Sequence, residues 1–165
     1  GLFSKDSLKM NSTYPDANFT MRVSYGNVKS YAPKDAVKYD FACTISGVAA
    51  KYVKGDYEFD LPAKFLDLYK AKDFGEYADK KLNDVVVSFI TTNDITGGNS
   101  GSPVIDAKGN LIGLAFDGNY EALSHKLAFD KDLNRTICVD VRYVLWCIDK
   151  LGGAKNLIDE LKLVR

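Results

Sequence analysis

Seven residues, Gly97-Gly98-Asn99-Ser100-Gly101-Ser102-Pro103, limit what this chain can fold into more than any other feature. Glycines crowded around one serine favour sharp backbone bends, because glycine reaches positive φ without a Cβ penalty. Upstream, Asp84 to Thr91 contains the β-branched run Val85-Val86-Val87-Ser88-Phe89-Ile90, which reads as a buried strand. Downstream, Pro103-Val104-Ile105 and Leu111 to Phe116 flank Asp106-Ala107-Lys108-Gly109-Asn110. That pattern predicts a β-hairpin with Gly109 at positive φ. The glycine-rich segment therefore links strand to strand. A turn that sends its serine straight into a helix, as in an α/β-hydrolase elbow, does not fit, because Pro103 opens a strand.

The flanking sequence adds strands before this centre and helices after it. Phe19, Met21, Val23 and Tyr25 alternate with polar residues, as in a half-buried strand. Gly26-Asn27 reads as a turn, with Val28 to Tyr31 returning. Pro62 suits a first helical position, and Phe65, Leu66, Leu68 and Tyr69 follow at helical spacing. Ile137-Cys138-Val139 predicts another strand. Val141 to Leu151 predicts an apolar helix ended by Gly152-Gly153, and Ala154 to Leu163 an amphipathic one with Leu157, Ile158 and Leu161 on one face.

Composition narrows the function classes. Acidic and basic residues balance at 22 each, so no net field favours nucleic acid or an anionic membrane. No apolar run approaches the roughly 20 residues of a bilayer span. The 165 residues suffice for one domain with its own core. No leader pattern is present, and the chain opens at Gly1-Leu2-Phe3 without Met, which leads us to expect an excised piece of a longer protein. Cys43, Cys138 and Cys147 allow at most one disulfide, match no metal-binding spacing, and read as small buried hydrophobes. Asn-x-Ser/Thr sequons at Asn11, Asn18 and Asn134 are of a kind that arises by chance.

A serine hydroxyl attacks a carbonyl only when a base takes its proton and donors hold the oxyanion. In chymotrypsin-like peptidases those donors are the amides of the serine and of the residue two before it. Here they would be Ser100 and Gly98, with Ser100 as nucleophile. The competing interpretation is a glycine-rich surface turn with nest geometry. His125 is the only histidine and follows the serine, in the polar stretch Glu121-Ala122-Leu123-Ser124-His125-Lys126; we expect an exposed loop residue rather than the general base. The triad His and Asp precede the serine in chymotrypsin-like enzymes, so both are expected upstream of this chain. Asp94, six residues before Ser100, stands where trypsin-like enzymes carry a specificity carboxylate; we read it as a turn residue.

From about Tyr14 to Leu161 the chain resembles the C-terminal region of the bacterial dipeptidyl-peptidase 7 and 11 family. Carrying the resemblance are Tyr-Pro-Asp-Ala-Asn-Phe-Thr (14–20), Asp-Ala-Val (35–37) and Thr-Asn-Asp-Ile-Thr-Gly-Gly-Asn-Ser-Gly-Ser-Pro-Val (92–104). Leu-Ile-Gly-Leu-Ala-Phe-Asp-Gly-Asn-Tyr-Glu-Ala (111–122), Arg-Thr-Ile-Cys-Val-Asp-Val-Arg-Tyr-Val-Leu (135–145) and Gly-Gly-Ala-Lys-Asn-Leu-Ile-Asp-Glu-Leu (152–161) extend it. The resemblance implies an exopeptidase that releases dipeptides from free N-termini, periplasmic or at the cell surface, homodimeric at full length, without metal or cofactor. It implies Ser100 as nucleophile, Gly98 and Ser100 as oxyanion donors, and Asp117 as the carboxylate that binds the substrate's terminal ammonium. At position 118 an arginine goes with acidic residues before the scissile bond in this family. Gly118 leaves that pocket open and uncharged, which implies hydrophobic residues there.

The expected fold is mainly β. Residues 1–165 would form the second barrel of a trypsin-like double-barrel pair, with added helices including a C-terminal helical end. The first barrel and an inserted helical domain would be absent. The expected partners are peptides with a free N-terminus and the rest of the same catalytic domain, with no nucleic acid and no membrane span. The isolated piece would be inactive, lacking the triad His and Asp. Two rival functions are an endopeptidase resembling bacterial glutamyl endopeptidases, which share Gly-Asn-Ser-Gly-Ser-Pro, and a non-catalytic binding or dimerisation module.

Overall fold

A computed structural model of the chain describes residues 21–124 and 129–164. Two β-sheets and several short helices make up the fold. Strands β1 (Tyr31–Lys34) and β2 (Val37–Tyr39) form a hairpin of their own, with Ala36 at φ 60° in its turn. The main sheet contains β3 (Ala42–Thr44), β4 (Val86–Thr91), β5 (Pro103–Ile105), β6 (Leu111–Gly118) and β7 (Thr136–Asp140). Its five strands lie in the order β3-β4-β7-β6-β5, and every neighbouring pair is antiparallel. The β-branched run before the glycine-rich segment is β4, the predicted hairpin is β5–β6, and Gly109 takes φ 83° in its turn.

Helices cover one side. The first, α1 (Ile45–Ala50), follows β3 directly. Helix α2 (Ala63–Ala71) begins just after Pro62, whose φ of −56° leads into the first turn, and stops where Lys72 turns left-handed at φ 52°. Asp140 caps α3 (Val141–Trp146), its side chain accepting from the Arg142 N–H. That helix widens into a π turn over Cys147–Leu151, and Gly153 then reverses the chain at φ 68°. The last helix, α4, spans only Lys155–Asp159 of the expected Ala154 to Leu163; Ile158 is buried while Leu157 and Leu161 stay half-exposed.

These helices close over the main core of Ile45, Phe65, Phe74, Tyr77, Val85 and Trp146. The Trp146 ring is fully buried, edge-on to Phe65 at 5.5 Å and stacked on Tyr143 at 6.1 Å. Its indole N–H donates to the Asp73 carbonyl at 3.0 Å, so burial leaves no polar atom unmatched. A smaller cluster, Phe89, Ala115 and Cys138 with Ile95, Val104 and Ile112, lies beneath the β4–β7–β6 strands.

Two expectations need correction. Met21, Val23 and Tyr25 are 94%, 82% and 90% exposed and belong to no strand. That segment is tied down at its end instead: Val28 bridges Thr91, and the Thr92 N–H donates to the Asn27 carbonyl at 3.0 Å. The cysteines are free thiols rather than three buried hydrophobes, since Cys43 is exposed and Cys147 half-buried; only Cys138 is fully enclosed. Burial pushes the Cys138 thiol up to about 11. The Asn134 sequon is buried, its amide nitrogen without a hydrogen-bond partner, so it presents no glycan acceptor on the described surface. The sequons at Asn11 and Asn18, and Phe19, lie outside the described residues.

Candidate active site

The bend around Ser100 is built from the backbone outward. Gly98 has φ 92° and Gly101 φ 83°, so the serine sits between two residues in a region that side chains resist. Asn99 staples the bend. Its side-chain oxygen accepts from the Thr96 N–H at 2.9 Å, its own N–H donates to the Thr96 carbonyl, and its carbonyl accepts from Ser102. On the far side the Gly101 N–H donates to the Ala115 carbonyl at 2.7 Å and the Ala115 N–H returns to Ser102 at 2.9 Å. The bend is thereby fastened to β6.

Ser100 projects from this frame into solvent, with its hydroxyl donating to the Phe116 carbonyl at 3.1 Å. That carbonyl is available because β6 bulges. Ala115 pairs with Cys138 and Asp117 with Ile137, which leaves Phe116 as the extra residue. Among the described residues, neither the Gly98 N–H nor the Ser100 N–H donates to a protein acceptor. Two unengaged backbone donors flanking an exposed hydroxyl are what an oxyanion site requires.

Beyond the bulge, β6 ends in Asp117 and Gly118. Asp117 is exposed, and one of its oxygens accepts from the Gly118 N–H at 2.8 Å. Gly118 pairs with Thr136, and a Cβ placed on it would lie 3.2 Å from the Ala122 Cβ and 3.7 Å from Ile95 Cγ2. The strip that follows is pinned by a polar network that sequence reasoning missed. Buried Asn119 donates its N–H to the Arg135 carbonyl and accepts from the Arg135 N–H; its amide also donates to Glu121 and to the Leu133 carbonyl. Tyr31 donates to the same Glu121 carboxylate at 2.8 Å. Burial, then the Glu121 side chain, pushes the Tyr31 phenol above its ordinary range against an opposing Asn119 contact, so the hydroxyl remains a donor. Arg135, 2% exposed, donates to the carbonyls of Lys29, Ser30, Lys131 and Asn134 and lies 5.3 Å from the Tyr31 ring centre. Nothing in the local sequence announced that network, because its members come from β1, the end of β6 and the start of β7.

Asp94 turns back on its own chain: a side-chain oxygen accepts from the Ile95 N–H, and its carbonyl accepts from Ser24. His125 lies outside the described residues. The structure thus brings Ser100, Gly98, Asp117 and Gly118 to one end of β6 and supplies no general base there among the described residues. Among those residues no cluster of three His, Cys, Asp or Glu side chains could hold a metal, and no helix is long and apolar enough to cross a membrane. Two concave regions, against the β1–β2 hairpin and between β3 and α1, are not lined by any residue of this site.

Comparison with known proteins extends the local picture to nearly the whole chain. It is 54% identical to the dipeptidyl-peptidase 7 of Capnocytophaga gingivalis over 165 residues, covering 98% of this chain and 23% of that protein. The Asp/Glu-specific dipeptidyl-peptidase of Flavobacterium psychrophilum is 52% identical over 151 residues, covering 92% and 21%. The chain thus spans about a fifth of the length of these curated relatives. Among solved structures, Porphyromonas endodontalis DPP11 in complex with the dipeptide Arg-Glu superposes with a TM-score of 0.85 at 41% identity, over 93% of this chain and 22% of that one. The peptidase S46 family profile matches residues 3–163, and with relatives this similar over almost every residue the chain belongs to the peptidase S46 family.

Proposed function

We propose that the full-length protein is a serine-type dipeptidyl-peptidase and that this chain carries its nucleophile, oxyanion donors and a wall of its specificity pocket. One observation carries the reading: an exposed Ser100 hydroxyl held between two positive-φ glycines, beside two backbone N–H groups with no acceptor among the described residues. In the proposed reaction the Ser100 oxygen leaves the Phe116 carbonyl and bonds to the carbonyl carbon of the second peptide bond. Its proton passes to a histidine supplied by the rest of the polypeptide. The carbonyl oxygen, now negative, takes the N–H groups of Gly98 and Ser100. The shortened peptide leaves as an amine, and water then frees the dipeptide from Ser100.

Asp117 would set the length of the product. An exposed carboxylate on the residue next to the Phe116 carbonyl that holds Ser100 is placed to pair with the substrate's terminal ammonium, which would fix two residues between amine and scissile bond. Gly118 supports a hydrophobic residue before that bond, because the position offers no charge. Relatives with the dipeptidyl-peptidase 7 name and with the Asp/Glu-specific name are similarly close, so overall identity does not choose between them. The trypsin-like double barrel, the homodimer and a periplasmic or cell-surface location belong to this proposal on the family resemblance.

Ser100→Ala in the full-length protein should lower dipeptide release by more than about 10³-fold with the circular dichroism spectrum unchanged. Peptides with a blocked N-terminus should resist cleavage. Retained turnover in Ser100→Ala would remove the nucleophile assignment. Efficient cutting of blocked peptides would favour the glutamyl-endopeptidase-like alternative, and failure of a fluorophosphonate to label Ser100 would favour a binding module.

A further inference from the structure

From the backbone contacts of residues 24–30 we infer that this segment is a strap that positions the Ser100 bend, with Gly26 and Thr92 as its positioning residues. The inference rests on the proposed function for what the bend does, and on geometry alone for what holds it. Apart from the Val28–Thr91 bridge the segment belongs to no strand, yet it grips the chain that leads to Ser100. The Ser24 hydroxyl donates to the Asp94 carbonyl at 2.9 Å. The Asn27 N–H donates to Thr92 Oγ1 at 3.0 Å, and the Thr92 N–H returns to the Asn27 carbonyl at 3.0 Å. Between these bonds Gly26 lies directly against backbone. A Cβ on it would stand 2.4 Å from the Asn93 nitrogen, 2.7 Å from Thr92 Oγ1 and 2.9 Å from the Thr92 carbonyl carbon. Gly26 has no positive φ, so contact and not torsion excludes a side chain there. A glycine that lets two backbones touch marks a place where their separation is fixed.

The bend takes its position from what lies on either side of it. Downstream, Gly101 and Ser102 are bonded to Ala115 of β6. Upstream, the Asn99 bonds close the loop on Thr96, and the place of Thr96 follows from residues 92–95. Those residues are held by the Thr136 hydroxyl on the Asn93 carbonyl at 2.6 Å, by Ile95 in the Phe89–Ala115–Cys138 cluster, and by the strap. The strap is anchored at its other end as well, because buried Arg135 donates to the Lys29 and Ser30 carbonyls at 3.1 Å each. A methyl on Gly26 would demand about 1 Å of movement to reach ordinary contact. If residues 92–94 move, the bend moves with them. If the strap lifts instead, residues 92–94 lose the bonds to Ser24 and Asn27. Either way the Gly98 and Ser100 N–H groups lose their aim, and a misplacement of about 1 Å can cost about 10²-fold in rate.

The test uses the full-length protein, with kcat and KM measured per active site and sites counted by fluorophosphonate labelling carried to completion. Gly26→Ala should lower kcat per labelled site by about tenfold or more, with KM changed less than about threefold. Thr92→Val, which takes the acceptor from the Asn27 N–H, should lower kcat by about threefold or more, and Thr92→Ser, which keeps it, should stay near wild type. A segment that merely stabilised the fold would reduce the number of labelled sites and leave the kcat of each unchanged. A kcat within about twofold of wild type in folded Gly26→Ala overturns the inference; should that variant fail to fold, the Thr92 pair decides it. Amide hydrogen exchange in peptides covering residues 96–102 reads the bend independently of the chemistry, and it should quicken in Gly26→Ala and Thr92→Val. If the wild type takes no label, the nucleophile assignment falls, and unchanged exchange in those variants would then remove the strap as well.

Discussion

The two sides of the main sheet hold their shape by different means. Under the helices, large side chains do it: Trp146, Ile45 and Val85 are completely enclosed, with Phe65, Phe74 and Tyr77 around them. At the Ser100 end the apolar cluster is small, and the form of the 93–102 and 116–122 segments comes from hydrogen bonds to Asn93, Asn99, Asn119 and Arg135. Apolar packing is non-directional and scales with area, whereas hydrogen bonds fix positions within tenths of an ångström. The helical side therefore supplies stability and the other side supplies placement. Substitutions should separate along the same line.

Trp146→Ala gives the harshest test of the first half. It empties the centre of the main core and removes the donor that satisfies the Asp73 carbonyl. A buried aromatic cut back to alanine costs about 3–5 kcal/mol, read from denaturant unfolding followed by circular dichroism. The molecules that remain folded should still react with fluorophosphonate at Ser100. A cost below about 1 kcal/mol would mean that this core is not what holds the sheet.

Gly98→Ala tests the second half. At φ 92° the new Cβ costs roughly 1–2 kcal/mol if the bend keeps its shape. If the bend relaxes, the Gly98 N–H turns away from its present direction. Losing one oxyanion donor lowers turnover by about 10²–10³-fold. The expected signature is a large fall in kcat with a stability loss smaller than that of Trp146→Ala. Near-normal kcat would show that the bend does not place the donor.

This division also explains what could be read from the sequence. Strands β4 and β7, the β5–β6 hairpin and the start of α3 were legible, because burial imposes a period or a β-branched run and Gly109 marks the turn. The β1–β2 hairpin was missed: its turn uses Ala36 at positive φ, where no glycine signals it. Strand β3 has three residues, too few to show alternation, and α1 was not foreseen at all. The alternation at Met21, Val23 and Tyr25 misled: all three are exposed and in no strand, because a pattern says nothing of what is there to cover it. Among the described residues the main sheet has five strands, with β3 and β5 at its edges. At the site, the glycines around Ser100 announce their bend. The Phe116 bulge and the Asn119–Arg135 lock beside it arise only in the folded chain.

The smallest expected effect asks whether surface charge adds to the stability of the helical side. The Arg142 guanidinium donates to Asp79 and to Asp140, at 3.0 and 2.9 Å. Asp79 is held below the usual carboxylate range, first by Arg142 and then by the N–H groups of Leu82 and Lys81. Folding therefore favours the ionised form. Its contribution is complete above the unfolded carboxylate value, about 3.9, and fades as pH falls through the lowered folded value. With side chains 38% and 29% exposed, solvent screens the pair, and Asp140 keeps Arg142 engaged after Asp79 is gone. Asp79→Asn should then cost less than about 1 kcal/mol at neutral pH. The gap in melting temperature from wild type should shrink below about pH 4, where Asp79 itself becomes neutral. Added salt should shrink it at neutral pH as well. A gap that widened on acidification would mean that the neutral Asp79 side chain, not its charge, is what the fold uses.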